Sequence, residues 1–144
     1  MNEDLRQGAA AAMKPLPTAS LLLILAVPLA GCQAALKDER QVEVKAGDLK
    51  SVLYEVQKRA KKVRVEVRSS GVPVDAYLVL EKDREALLQE LDKSGKPSGV
   101  LAQQLKTESA TLQATIPAQQ AFALVLTSRG GKDATVTVKA SEGP

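Results

Sequence analysis

Apolar and polar residues alternate along much of the chain after residue 40. In Val63-Arg-Val-Glu-Val67 three valines alternate with charged residues. In an extended strand this period of two puts the valines on one face and the charged residues on the other. Other segments repeat the alternation, and two runs are more continuously apolar, as central strands are. These further predicted strands are residues 42–44, 74–80, 112–116, 121–127 and 136–138.

Two more segments have patterns in which strand and helix must be distinguished. Asp48–Ala60 fits a strand through Val52 and Tyr54, and it also fits a helix with its first residue as N-cap. The strand is favoured because the segment that follows is plainly extended. Asp83–Leu91 predicts a short helix with Asp83 as its cap.

Turn-forming sequences separate these segments at 69–73, 117–120 and 129–133. About seven to eight short strands at this spacing, with one short helix, predict an all-β antiparallel β-sandwich. The domain is expected at 41–140, followed by a disordered C-terminus at 141–144.

The predicted domain also resembles a known type of module. Val-Arg-Val-Glu-Val-Arg-Ser-Ser-Gly-Val-Pro-Val-Asp-Ala-Tyr-Leu (63–78) and Ala-Thr-Ile-Pro-Ala-Gln-Gln-Ala-Phe (114–122) resemble the bacterial pre-peptidase C-terminal type of β-sandwich. Gln119 stands where that family often has glycine. The resemblance implies an accessory module without catalytic residues.

A short apolar segment precedes the domain and ends in the only cysteine of the chain. Lys14 gives it a basic start and residues 16–29 an apolar core, as in a secretory signal. It is shorter than the ~20 apolar residues of a spanning helix and is interrupted by prolines. Leu29-Ala30-Gly31-Cys32 resembles the lipobox of bacterial lipoprotein precursors. The resemblance implies cleavage between Gly31 and Cys32 and acylation of the Cys32 sulfur.

Taken this way, the chain has a signal peptide at 1–31, with translation expected to begin at Met13, and a lipidated N-terminus with a polar tether at 32–40. In bacteria with two membranes the residue after the acylated cysteine influences sorting. By the resemblance to lipoprotein precursors, Gln33 in place of aspartate implies the outer membrane, if the source has one. The predicted location is therefore the bacterial cell envelope, with the membrane reached through the N-terminal lipid.

The amino-acid composition argues against several kinds of catalytic and binding site. The chain has no histidine, so the cysteine lacks a histidine base and a zinc site lacks its usual ligands. With two tyrosines, one phenylalanine and no tryptophan, the aromatic platforms of single-stranded nucleic-acid sites are scarce. Carboxylates could bind calcium, but no loop has the spacing of a calcium motif. We expect no catalytic residues, no metal, no cofactor and no nucleic-acid partner. The carboxylates considered are Asp75, Glu81, Asp83 and Glu85.

One basic run stands out in a chain whose net charge is +3. It could contact anionic lipid or polymer, but a solvated hairpin turn, with lysines protecting an exposed edge, is the simpler interpretation and is favoured. Its cations are Lys58, Arg59, Lys61, Lys62 and Arg64.

The main prediction is thus a non-enzymatic, lipid-anchored envelope protein. Its β-sandwich would serve protein contact or envelope structure, with an envelope protein as partner. The alternative is a module that binds an anionic lipid or polymer through residues 58–64.

Overall fold

The computed structural model describes residues 35–128 and 130–144, which form eight β-strands and one helix. The predicted signal peptide, Gly31 and Cys32 lie outside the described residues. The strands are β1 (Lys37–Val44), β2 (Leu49–Gln57), β3 (Lys61–Ser69), β4 (Val74–Leu80), β5 (Val100–Thr107), β6 (Ser109–Ile116), β7 (Gln120–Ser128) and β8 (Ala134–Glu142), and the helix is α1 (Glu81–Asp92).

The strands form two four-stranded antiparallel sheets, as predicted. Sheet A has the order β1-β8-β3-β6 and sheet B the order β2-β7-β4-β5. Most consecutive strands lie in different sheets, so most connections cross from one sheet to the other. The predicted hairpin at residues 58–64 is therefore wrong, because β2 belongs to sheet B and β3 to sheet A. Residues 48–60 contain a strand, as favoured, and not a helix.

The core lies between the two sheets and is built from the inward positions of the alternation. Val63, Val65 and Val67 of β3 are fully buried, whereas Arg64 and Glu66 between them lie on the outer face of sheet A. The sheets bury branched aliphatic side chains and one stacked aromatic pair, which is the packing that a sandwich requires. Other members of this core are Val52, Tyr54, Val74, Leu78, Leu112, Ile116, Phe122, Leu124, Leu126, Val136 and Val138.

Helix α1 gives sheet B a second apolar layer. Leu87 is fully buried against a small cluster that includes Tyr77 and Val125 on the outer face of sheet B. The helix begins directly after β4 with Leu80 as N-cap and without a side-chain capping bond. The prediction that Asp83 caps the helix is therefore wrong. Asp83 lies in the first turn, where its negative charge still stabilises the helix dipole.

The folded domain is longer at both ends than the sequence suggested. Strand β1 begins at Lys37, where a tether was expected, and β8 runs to Glu142, where disorder was expected. The charged start of β1 belongs to an edge strand, so its polar side chains reach solvent or each other. Arg40 pairs with Asp38 at 2.7 Å and lies 5.3 Å from the centre of the Tyr54 ring. These contacts cover one open side of the sandwich.

Strand β5 was not predicted, because its pattern does not alternate. Its pairing with β4 shifts register twice. At the bulge, Lys106 has a left-handed φ of 51°, and its backbone N–H donates to Asp75 Oδ1 at 2.8 Å. Asp75 is fully buried. A bulge of this kind bends an edge strand and limits its pairing with other chains.

Candidate functional site

Four segments of the chain meet at one end of the sandwich, which we call the basic end. They are the start of β1 at Lys37, residues 58–62, the turn at 117–119, and Gly143. Lys37 pairs with Ser141 near the end of β8, and Lys61 pairs with the last residue of β6. The Gly143 N–H donates to the Lys62 carbonyl at 2.8 Å. Strand direction and register therefore place the beginning of the domain beside the basic run.

Two connections between the sheets lie side by side at this end and hold each other. The chain crosses from β2 to β3 through Lys58, and from β6 to β7 through Gln119. The Gln119 N–H donates to the Gln57 carbonyl at 2.6 Å, and its side-chain Nε2 donates to the Lys58 carbonyl at 3.4 Å. Gln119 adopts a left-handed φ of 64°, a conformation that glycine takes without steric cost. The basic connection is thus fixed to its neighbour through the backbone.

The five cations predicted as a site fall into two groups. Lys58, Arg59 and Lys62 are exposed, and none of them belongs to an ion pair found within the described part of the chain. Lys61 and Arg64 differ, because each has a carboxylate partner.

The paired cations serve the structure of sheet A. Lys61 Nζ lies 2.7 Å from Glu142 Oε1, and its side chain is only 14% exposed. This contact lowers the pKa of Glu142 below its ordinary value. Arg64 lies 3.0 Å from Glu66 on the outer face of sheet A. The expectation that the charge of Lys61 stands in solvent is therefore wrong, and the free cluster has three cations.

Apolar surface accompanies these cations. Val56 sits at the irregularity in the pairing of β2 with β7 and is 52% exposed. The turn at Pro117 and Ala118 is exposed and carries no charge. A depression of about 280 Å³ beside Lys62 is lined by residues that include Thr115 and Gly143, and none of its lining side chains is acidic. Val56 was not among the residues predicted for this site, although it lies two residues before the basic run in the sequence.

The opposite end of the sandwich has mixed charge. It is formed by the connections at 45–48, 69–73 and 130–133 and by Glu108. The Ala46 N–H donates to Asp133 Oδ1 at 2.9 Å, and Lys45 lies in a depression whose lining also includes Asp48 and Glu43. Lys45 at this end therefore lies beside acidic side chains, whereas Lys58, Arg59 and Lys62 belong to no ion pair of the described residues.

The carboxylates considered as calcium ligands do not form a metal site. Among residues 35–128 and 130–144, no group of three or more acidic or cysteine side chains could hold a metal ion, and the four acids considered for calcium are not brought together.

Burial raises the pKa of Tyr54 to about 12, with the negative charge of Asp38 adding to the effect. The Tyr54 ring stacks on Phe122 with 4.6 Å between centroids.

The comparisons with known proteins do not test the two resemblances predicted from the sequence. No protein-family model matches the chain, and no curated protein shows significant similarity to it. Within the described residues, no helix has both the length and the apolar character needed to cross a membrane.

Proposed function

We propose that the chain is the precursor of a lipid-anchored protein of a bacterial cell envelope, with a non-enzymatic β-sandwich that serves protein contact or envelope structure. The observation that carries the proposal is the sequence Leu29-Ala30-Gly31-Cys32 behind a short apolar segment. The cysteine is the only one in the chain, so acylation there competes with no disulfide.

The start of the folded domain agrees with such an anchor. Strand β1 begins at Lys37, five residue steps after Cys32. An extended chain rises at most ~3.6 Å per residue, so these steps span no more than about 18 Å. A protein anchored at Cys32 would carry its sandwich directly at the membrane surface, without a long spacer.

Anchoring through one cysteine is energetically sufficient. Each buried methylene of an acyl chain contributes about 0.8 kcal/mol, and stable attachment needs two chains or a second signal. A diacylated cysteine provides two chains on one sulfur. The sandwich therefore needs no spanning segment of its own.

Lipidation is tested by feeding cells a fatty acid with a clickable tag and fractionating them. The wild type should be a labelled membrane protein whose N-terminal peptide begins at acylated Cys32. Cys32→Ser should lose the label and leave the membrane fraction or accumulate unprocessed. Adding Ser70→Cys to that variant is the matched control, because an exposed cysteine elsewhere should not restore labelling. An unlabelled wild type would refute the lipoprotein proposal.

The contact role is tested separately, by crosslinking in the native host followed by capture of the lipidated protein. A stoichiometric envelope protein that is recovered with the wild type, and lost when the chain is released by Cys32→Ser, supports it. Turnover of an envelope substrate by the purified domain would contradict the non-enzymatic assignment.

A further inference from the structure

We infer that the anchored sandwich stands on its basic end, with Lys58, Arg59 and Lys62 against the anionic headgroups of the membrane that holds the lipid. The inference rests on the proposed lipid anchor and adds an orientation and a ligand to it. It selects one end of the domain as the membrane-facing surface and leaves the opposite end pointing away.

The first support is topological. Antiparallel pairing along sheet A brings the start of β1, the end of β8 and the start of β3 to the same end. Lys37 is therefore at the end that carries Lys58 and Lys62. Had β1 run the other way, the anchor would leave the domain at the opposite end, a strand length away. A nine-residue strand such as β3 measures about 30 Å at ~3.3 Å per residue.

The second support is the short reach of the connecting chain. With at most about 18 Å between Cys32 and Lys37, the basic end cannot move far from the headgroups. Attraction between cations and a charged surface fades over a Debye length of about 8–10 Å at ordinary salt. The maximum reach of about 18 Å is roughly two Debye lengths, so the connecting chain keeps the cluster close enough to enter the zone in which the surface charge acts, which a freely diffusing domain rarely meets.

The third support is the state of the cations. Lys58, Arg59 and Lys62 are exposed and are outside the ion pairs of the described residues, so binding a phosphate costs them no existing partner. Glu142 at this end is already held by Lys61. Near Lys37, Asp38 and Glu39 are paired with cations of sheet A. Glu55 is exposed three residues before Lys58, and the three cations outweigh it.

The uncharged surface around the cations fits the same ligand. Val56, Pro117 and Ala118 are exposed beside the basic connection. Apolar side chains next to lysines suit the boundary between headgroups and acyl chains, where apolar surface is buried while cations meet phosphates. A soluble anionic polymer would use the lysines but would gain little from Val56. Headgroups of the anchoring membrane are therefore the ligand we assign.

The test uses the full lipidated protein in vesicles. Because the sole native cysteine would be acylated, Ala60→Cys and Ala46→Cys each introduce a single free thiol, one at each end, and both alanines are exposed. Each variant is labelled with a fluorophore and reconstituted into phosphatidylcholine vesicles, with or without phosphatidylglycerol. The vesicles contain a lipid with a nitroxide on its headgroup, which quenches nearby fluorophores.

We expect strong quenching at position 60 and weak quenching at position 46, and the difference should require phosphatidylglycerol and shrink in high salt. Each basic residue near an anionic surface changes the partition about fivefold. The triple change Lys58→Gln, Arg59→Gln and Lys62→Gln should therefore lower the equilibrium ratio of the end-on state to the other orientations about 100-fold. The matched control changes Lys45, Lys50 and Lys132 to Gln at the opposite end, with the same loss of charge, and should leave quenching unchanged.

Each outcome decides between the two proposals. Equal quenching at both positions, or a triple variant that behaves like its control, overturns the orientation while the lipid anchor stands. A purified protein whose mass lacks acyl chains overturns the anchor itself. Loss of quenching at position 60 on adding soluble polyphosphate, while neither phosphatidylglycerol nor Val56→Ser affects it, would identify an anionic polymer as the ligand and refute our assignment.

Discussion

Replacing Val65 by aspartate tests the central strand of the sandwich. Val65 has no exposed surface, and its register neighbours are Leu112 on β6 and Ala140 on β8. An aspartate there must either bring a charge into an apolar core or keep its proton. Since a carboxyl normally ionises near pH 3.9, holding it neutral at pH 7 costs about 4 kcal/mol at 1.36 kcal/mol per pH unit.

Loss of the valine side chain adds to this cost. Full burial of a valine contributes roughly 1.5–3 kcal/mol, so Val65→Asp should destabilise the domain by about 6 kcal/mol at pH 7. Small domains have a net stability of about 5–15 kcal/mol. The variant should therefore be largely unfolded, or close to it, at neutral pH.

The assay is urea unfolding followed by circular dichroism at several pH values. The pKa of the introduced carboxyl is raised in the folded state, so the folded state binds its proton more tightly. Stability is then greatest below the unfolded pKa and falls as pH rises. Val65→Asn is the matched control, since it has a similar size but no titrating group, and its deficit should not follow that pH dependence.

Arg64→Asp provides the control on the opposite face. Arg64 is partly exposed and pairs with Glu66 on the surface of sheet A, and exposed pairs contribute little, so the change should cost less than about 1 kcal/mol. If Arg64→Asp were as damaging as Val65→Asp, or if the aspartate and asparagine variants shared one pH profile, the assigned burial of β3 would be refuted.

Two further predictions concern buried polar groups. Because burial raises the pKa of Tyr54 to about 12 from the ordinary 10, its contribution to stability is present below pH 10 and is lost between pH 10 and 12. Tyr54→Phe keeps the stacking on Phe122 and should decline less over this range in chemical unfolding, whereas parallel curves would contradict the assigned cause. Asp75→Ala removes the acceptor of the Lys106 N–H and should cost about 1–3 kcal/mol, with faster hydrogen exchange at that amide; an unchanged exchange rate would show that the bond does not hold the bulge.

The sequence predicted a strand correctly where the apolar and polar residues of that strand alternate regularly. In β3, alternation predicted every buried position, because period two directly reports the two faces of a strand. In β5 the same logic failed. Its two register shifts with β4 break the period, and exposed Leu101 and Leu105 remove the contrast between apolar and polar faces.

The prediction for the start of β1 was wrong for a different reason. The run from Lys37 to Arg40 is charged, and charged residues indicated a tether. In the structure Asp38 and Arg40 neutralise each other and Arg40 covers the Tyr54 ring. The contact of Arg40 with Tyr54 joins two strands of different sheets, and neither composition nor local pattern reveals it. Asp83 is similar, because the strand before the helix, and not a side chain, sets where α1 begins.

The sequence by itself determined which residues of the regularly alternating strands face the core, that the domain is built of antiparallel strands with one helix, and that an apolar segment ends at a lone cysteine. These properties are periodic or local, so they are written in neighbouring residues. Only the tertiary structure decided which sheet each strand joins, that the basic connection crosses between sheets, and that Lys61 is bound by Glu142 while Lys58, Arg59 and Lys62 remain exposed at the end where the domain begins. Strand partners are chosen by hydrogen bonds and packing between segments that lie far apart in the chain, such as β1 and β8, and a local pattern carries no information about that choice.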